Sequence, residues 1–245
     1  MRGPWITGFL LKLGRAEEHL DALDARIGEY FANKPYVSVR EYDPQHNTRL
    51  AGIRITKRPP ADLALVIGDY LHNVRSALDH LAWELVIASG GKPSRGTEFP
   101  IYKDARAYQR KTSGIAIRPC VAPNVGAFIE GLQPYHQGDD ALLHPLWILH
   151  ELSNIDKHRT LHLASMWISR GERFTLGQRA DTDEIVFFFR GTPGQTEMDV
   201  EIQSALSITL TEPTHLMGTR VVDLLQQPLK FIREEIIPGL APLFD

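Results

Sequence analysis

Residues 68–85 read GDYLHNVRSALDHLAWEL, and the spacing of their apolar members decides the fold class. Ile67, Leu71, Val74, Leu78, Leu81 and Leu85 recur at three- and four-residue intervals, the period of one helical face. Opposite them Asp69, Asn73, Ser76 and His80 form a polar row, with His72 and Asp79 to one side and Arg75 at the boundary. Pro59-Pro60 opens the segment and Gly90-Gly91 closes it, so a long helix is expected over about 61–89.

Upstream, residues 5–32 repeat the helical period through Phe9, Leu13, Leu20, Leu23, Ile27 and Phe31. Lys34-Pro35 ends that helix, because a residue before proline is pushed out of the helical region. Two short β-rich runs, 36–42 and 50–56, flank a polar loop and read as a hairpin. Downstream, the prolines between 92 and 141 limit helices to short ones near 103–112 and 124–131. A third long helix is expected over 139–159, starting near Leu143 if Pro145 occupies its first turn.

Strands are expected at 161–169, 174–178, 185–190 and 197–210. In the last, Met198, Val200, Ile202, Leu206, Ile208 and Leu210 alternate with Glu197, Asp199, Glu201, Gln203 and Thr209, giving one buried and one wet face. A final helix over 213–237 is kinked at Pro228 and stopped by Pro238-Gly239. Residues 1–245 therefore read as a single α+β domain, with long helices forming a bundle-like core packed against an antiparallel β-sheet.

Composition narrows the function. Among 245 residues, 43% are hydrophobic and 23% charged, values of an ordinary globular chain. Lys and Arg number 27 against 30 Asp and Glu, so the chain as a whole is no general polyanion binder. Cys120 stands alone, which excludes an intramolecular disulfide and fits a reducing, cytoplasmic setting. No run approaches the roughly 20 apolar residues of a membrane span, and the first residues lack a cleavage signal. P-loop, dinucleotide-binding and nucleophile-elbow motifs are absent. His150-Glu151 begins a zinc-protease motif that Asn154 breaks.

The third helix differs from the second. Its leucines and isoleucines cover most of the circumference, yet His150, Glu151, Asn154 and His158 gather within about a third of it. A narrow polar stripe on an apolar helix is unfavourable unless it finds partners or lines a cleft. The economical arrangement turns this stripe toward that of the second helix. Asp69, His72, Asn73, Ser76, Asp79, His150, Glu151, Asn154 and Lys157 are then expected to line one cleft. Between Lys92 and Arg118, seven basic residues against two acidic ones, interleaved with Phe99, Tyr102 and Tyr108 that could stack on unpaired bases, partly support a nucleic-acid partner.

Arg75-Ser76-Ala77-Leu78-Asp79-His80 has the form R-x4-H on a long helix. It resembles the signature of HEPN-like ribonucleases, a family of bacterial toxin and phage-defence systems; Ser76 loosely matches the polar residue that follows the arginine there. LHNVRSALDHLAWEL and LHELSNIDKHR are also similar to segments of uncharacterised bacterial and phage proteins. The resemblance implies RNA as partner, cleavage without metal or other cofactor, and a homodimer that joins the motifs of two protomers. It implies a catalytic pair, Arg75 and His80; His158, at the end of the third helix, is expected to join them in the catalytic set by adding a cationic group. His80 would shuttle the proton of a ribose 2′-hydroxyl, and Arg75 would clamp the scissile phosphate. Two alternatives stand beside it. One is a non-catalytic structural or ligand-binding protein whose stripes are a buried hydrogen-bond network. The other is a metal site built from Asp69, His72, His80, His150, Glu151 and His158.

Overall fold

A computed structural model describes residues 7–43, 48–111, 117–167, 174–175, 186–189 and 206–241. Its long helices are α1 (Thr7–Ala32), α2 (Asp62–Ala88) and α5 (Pro145–His158). Between the latter two lie α3 (Ala105–Lys111) and α4 (Pro123–Gly131). The strands are β1 (Tyr36–Asp43), β2 (Thr48–Ile55), β3 (Leu163–Trp167), β4 (Phe174–Thr175), β5 (Val186–Phe189) and β6 (Leu206–Leu210). The chain is mixed α+β and mostly helical, and its described strands all pair antiparallel.

Where the sequence reads as one domain, the fold divides into two compact units. The first combines Met1–Ala22, Ala64–Leu161 and Val222–Asp245; the second combines Leu23–Leu63 and His162–Val221. The first unit is helical. Its core holds Phe9, Leu13, Ile67, Leu71, Val74, Leu78, Leu81, Leu146, Leu149 and Leu225, all nearly or fully buried. The apolar period of α2 thus marks its buried side as expected. Tyr70, Ala77 and Ala82 are buried as well, so α2 is covered over more than one face. The Tyr70 hydroxyl donates to the carbonyl of Leu225.

The second unit carries both sheets. One has the order β1-β2-β5-β4, the other pairs β3 with β6. The hairpin register runs from Tyr36 opposite Ile55 to Asp43 opposite Thr48. The end of α1 is tied to β3 within this unit: the Tyr30 hydroxyl lies 2.9 Å from Ser165 Oγ and donates to the Lys57 carbonyl at 2.6 Å.

Three expectations are corrected. The third long helix starts at Pro145, not at 139, because the residue before a proline is held extended: His144 has ψ 133° and acts as the N-cap. Residues Pro134–Leu143 instead form tight 3-10 turns, broken by Gly138 at φ 57°. The last helix begins at Val221 (α6, Val221–Phe231), after a left-handed turn at Gly218. Past Pro228 it widens to a π-turn over Ile232–Ile236 before α7 (Ile237–Leu240). Finally, all five residues of β6 are buried, so no wet face exists there. Thr209, placed outside by the alternation, is satisfied inside: its hydroxyl donates to the Leu210 carbonyl and accepts from Gly218 N at 3.1 Å. The outer parts of the expected strands, at 168–169, 176–178, 185, 190 and 197–205, lie outside the described residues.

Candidate functional site

Arg75 is the first residue to place. Its side chain is only 13% exposed, and it forks onto Asp79 one turn on, with Nη2 2.8 Å from Oδ1 and Nε 3.3 Å from Oδ2. Nη2 also donates to the Phe99 carbonyl at 2.8 Å, while Asp79 Oδ1 accepts from Phe99 N at 2.9 Å. An arginine and an aspartate at i and i+4 therefore form one plate that holds both backbone groups of Phe99. Further along, buried Gln133 does the same work. Its amide donates to the carbonyls of Pro100 and Ile129 and accepts from Tyr102 N at 3.0 Å. The irregular segment 98–104 is thus fastened to α2 at one end and to the end of α4 at the other. Asp104 then caps α3 through Ala107 N at 2.7 Å.

This fastened segment forms one wall of a cleft of about 340 Å³ in the helical unit. The other wall is α5. Trp147, His150, Ser153, Asn154 and Lys157 line it, and at about 100° per residue these five share a third of the helix circumference. Arg75 and Glu98 complete the lining beside Tyr102, Lys103 and Asp104.

The cleft joins cations to aromatic rings. Lys103 Nζ lies 4.7 Å from the Trp147 ring centroid, and the His150 ring is tilted against Trp147 at 5.0 Å. Asn154 Nδ2 lies 2.9 Å from His150 Nε2. Three cations (Arg75, Lys103, Lys157) face two carboxylates, and both carboxylates are engaged: Glu98 lies 3.8 Å from Arg75, and Asp104 caps α3. Neither Lys103 nor Lys157 has an ion-pair partner among the described residues. Burial, reinforced by Glu98 and opposed by Arg75, holds the Tyr102 hydroxyl above its ordinary pKa, so it remains a donor.

The remaining expected site residues divide. His150, Asn154 and Lys157 stand in the cleft with Arg75, as read from the sequence; Asp79 stands behind it. The two polar rows do not face each other as expected, because α1 runs along that of α2. Asn73 is buried and accepts from Lys12 Nζ at 3.4 Å, and a Cβ on Gly8 would lie 2.7 Å from His80 Nδ1. His80 is five residues from Arg75, about 140° around the helix, and Ser76 is half-buried on the same row. Asp69 and His72 are exposed near Asp156, where α2 and α5 approach closely. A Cβ on Gly68 would meet the Asp156 carboxylate at 2.7 Å, so glycine permits the approach. Burial first, then repulsion from Asp69, raises the Asp156 pKa, and His72 offsets part of the rise. Glu151 is half-buried, and His158 is exposed at the end of α5.

Trp147, Ser153 and Gln133 are not singled out by the sequence. Lys103 and Tyr102 belong to the basic, aromatic run, whereas Phe99 and Tyr108 of that run are core residues. Among the described residues, no group of three or more His, Cys, Asp or Glu is placed to hold a metal ion. No described helix is long and apolar enough to cross a membrane. No family model, curated protein or solved structure matches the chain.

Proposed function

We propose that the α5 cleft binds single-stranded RNA, taking one unpaired nucleotide at a time. The observation that carries this reading is the convergence of Lys103, Lys157 and Arg75 with Trp147, Tyr102 and His150 on one cavity of about 340 Å³. Unpaired RNA offers what such a lining recognises, a stacking base joined to a phosphate. The volume suits one nucleotide at the low end of ligand-sized pockets. Lys103 and Lys157 supply the phosphate contacts, since Arg75 is largely spent on Asp79 and Phe99. A cytoplasmic setting accords with the single cysteine.

Cleavage without metal is the catalytic form of the same proposal. His150 is the imidazole within the cleft and Arg75 adds positive charge behind the phosphate, while His80 lies against α1. The competing structural reading draws on the Arg75–Asp79–Phe99 plate, which needs no ligand to explain it.

The test is binding and cleavage of labelled single-stranded RNA in excess EDTA. Wild type should bind. The Lys103→Ala/Lys157→Ala double variant should bind more weakly, with its salt slope reduced by about two, roughly one for each lysine that meets a phosphate. Equal binding by the two proteins, or none by either, overturns the proposal. Cleavage that His150→Ala abolishes while binding persists assigns the chemistry to that imidazole. Cleavage only after a divalent metal is restored favours the metal reading.

A further inference from the structure

The second unit holds a cavity of its own, of about 550 Å³, formed by the end of α1, the start of α2 and the chain between β2 and α2. Tyr30, Pro35, Pro60 and Leu63 give it an apolar lining. Its charged lining is Arg26, Glu29, Lys57, Arg58 and Asp62, and these do not cancel. Arg26 Nη1 is held by Asp62 Oδ2 at 3.1 Å. The side chains of Lys57 and Arg58 are exposed and have no ion-pair or hydrogen-bond partner among the described residues. They stand against one further carboxylate, Glu29, so positive charge is left over.

The backbone that carries these two cations is fixed on both sides. The Lys57 carbonyl accepts from the buried Tyr30 hydroxyl at 2.6 Å, and Tyr30 is held in turn by Ser165 at 2.9 Å. Thr56 N and Lys57 N both donate to the Pro35 carbonyl, at 2.8 and 3.3 Å. Pro59 follows Arg58 and confines it to extended backbone. Lys34, left-handed at φ 48°, turns the end of α1 into Pro35. A cation on a loose loop must order its backbone when a ligand arrives; here only the side chains remain to be ordered.

We propose that this cavity is a second binding site, for a small phosphomonoester that carries free hydroxyls. A phosphomonoester bears a charge of about −1.5 to −2 at neutral pH and offers three strong acceptor oxygens. Arg58 matches them with a planar fork and Lys57 with a point charge. Glu29 is an acceptor only, so it disfavours a second anionic group on the ligand and accepts from its hydroxyls. The apolar lining packs against the ligand's carbon frame, and the volume lies in the range of small-molecule pockets. This site does not draw on the RNA reading of the α5 cleft.

The experiment is calorimetric titration of the full chain carrying Lys103→Ala/Lys157→Ala, so that the lysines of the α5 cleft do not contribute. The probes are inorganic phosphate, ribose 5-phosphate and ribose. Ribose 5-phosphate should bind about tenfold tighter than phosphate, and ribose should give no measurable heat. Adding Lys57→Ala/Arg58→Ala, which alters two exposed side chains, should weaken ribose 5-phosphate by about tenfold or more with the circular dichroism spectrum unchanged. Adding Glu29→Ala instead should bring ribose 5-phosphate and phosphate to within about threefold of each other. Binding of ribose 5-phosphate no tighter than phosphate, or no binding of either, overturns the proposal. So does binding that survives loss of Lys57 and Arg58, or a preference for ribose 5-phosphate that survives Glu29→Ala.

Discussion

Helices α2 and α5 both carry polar groups to the rim of one cleft, and they use them in opposite ways. On α2, Arg75 and Asp79 make four hydrogen bonds between them and to Phe99, and they are committed to holding segment 98–104 in place. On α5, Ser153 and Trp147 bring buried polar atoms with no partner, and Lys157 brings a charge with none among the described residues. The polar pair of α2 is therefore a fastening, whereas the polar groups of α5 keep unfilled capacity. Residue type alone does not separate these roles. What separates them is whether each group's hydrogen-bonding capacity is already filled.

The largest effect should come from breaking the α2 plate. Asp79→Ala leaves the largely buried Arg75 guanidinium and Phe99 N–H without their acceptor, and should destabilise the fold by about 3 kcal/mol in denaturant titration. A destabilisation below about 1 kcal/mol would mean that Gln133 alone holds the segment.

A second prediction concerns the start of α5. His144 accepts from Leu146 N at 3.1 Å and packs edge-on against Phe231 at 4.9 Å. Burial lowers its pKa from the ordinary 6.5 to about 4. Between those values the unfolded chain binds a proton that the folded chain refuses. Its contribution to stability is therefore full above pH 6.5, declines as pH falls, and is gone near pH 4. The decline should amount to about 2 kcal/mol. Comparing stability at about pH 7 and about pH 4.5 in wild type and His144→Asn isolates this contribution, because asparagine preserves an N-cap acceptor without titrating in that window. An identical pH dependence in both proteins contradicts the account.

The smallest effect is expected at Ser153. Ser153→Ala removes an unpaired hydroxyl and gains helix propensity, so stability should stay within about 0.5 kcal/mol of wild type or rise slightly. A destabilisation of about 1 kcal/mol or more would reveal a hydrogen bond inside the fold and move Ser153 to the same class as Arg75.

The sequence was legible where a period repeats over many turns. The apolar faces of α1 and α2 and the hairpin of β1 and β2 follow from spacing, because burial of one face is what the fold selects. Legibility failed where one residue overrides the period. Pro145 moved the start of α5, and the full burial of β6 erased the alternation expected at Thr209. At the site, Arg75, His150, Asn154 and Lys157 were legible as one cleft because polar residues on apolar helices are conspicuous. Ser153 and Trp147 were not, since both pass as ordinary members of a buried helix until their unpaired atoms are seen. Nor could the α2 wheel show that α1, and not α5, would run along Asn73 and His80. That depends on which helix packs on which face, information held in contacts distant along the chain.

The most direct measurement of the central claim sets His80→Ala beside Lys157→Ala in RNA-binding titrations at two salt concentrations, with circular dichroism confirming that both are folded. The cleft on α5 predicts that Lys157→Ala weakens binding several-fold at low salt and lowers the salt slope by about one, while His80→Ala binds as wild type does. Loss of binding in His80→Ala with Lys157→Ala unaffected would contradict that claim and return the site to the R-x4-H motif of α2.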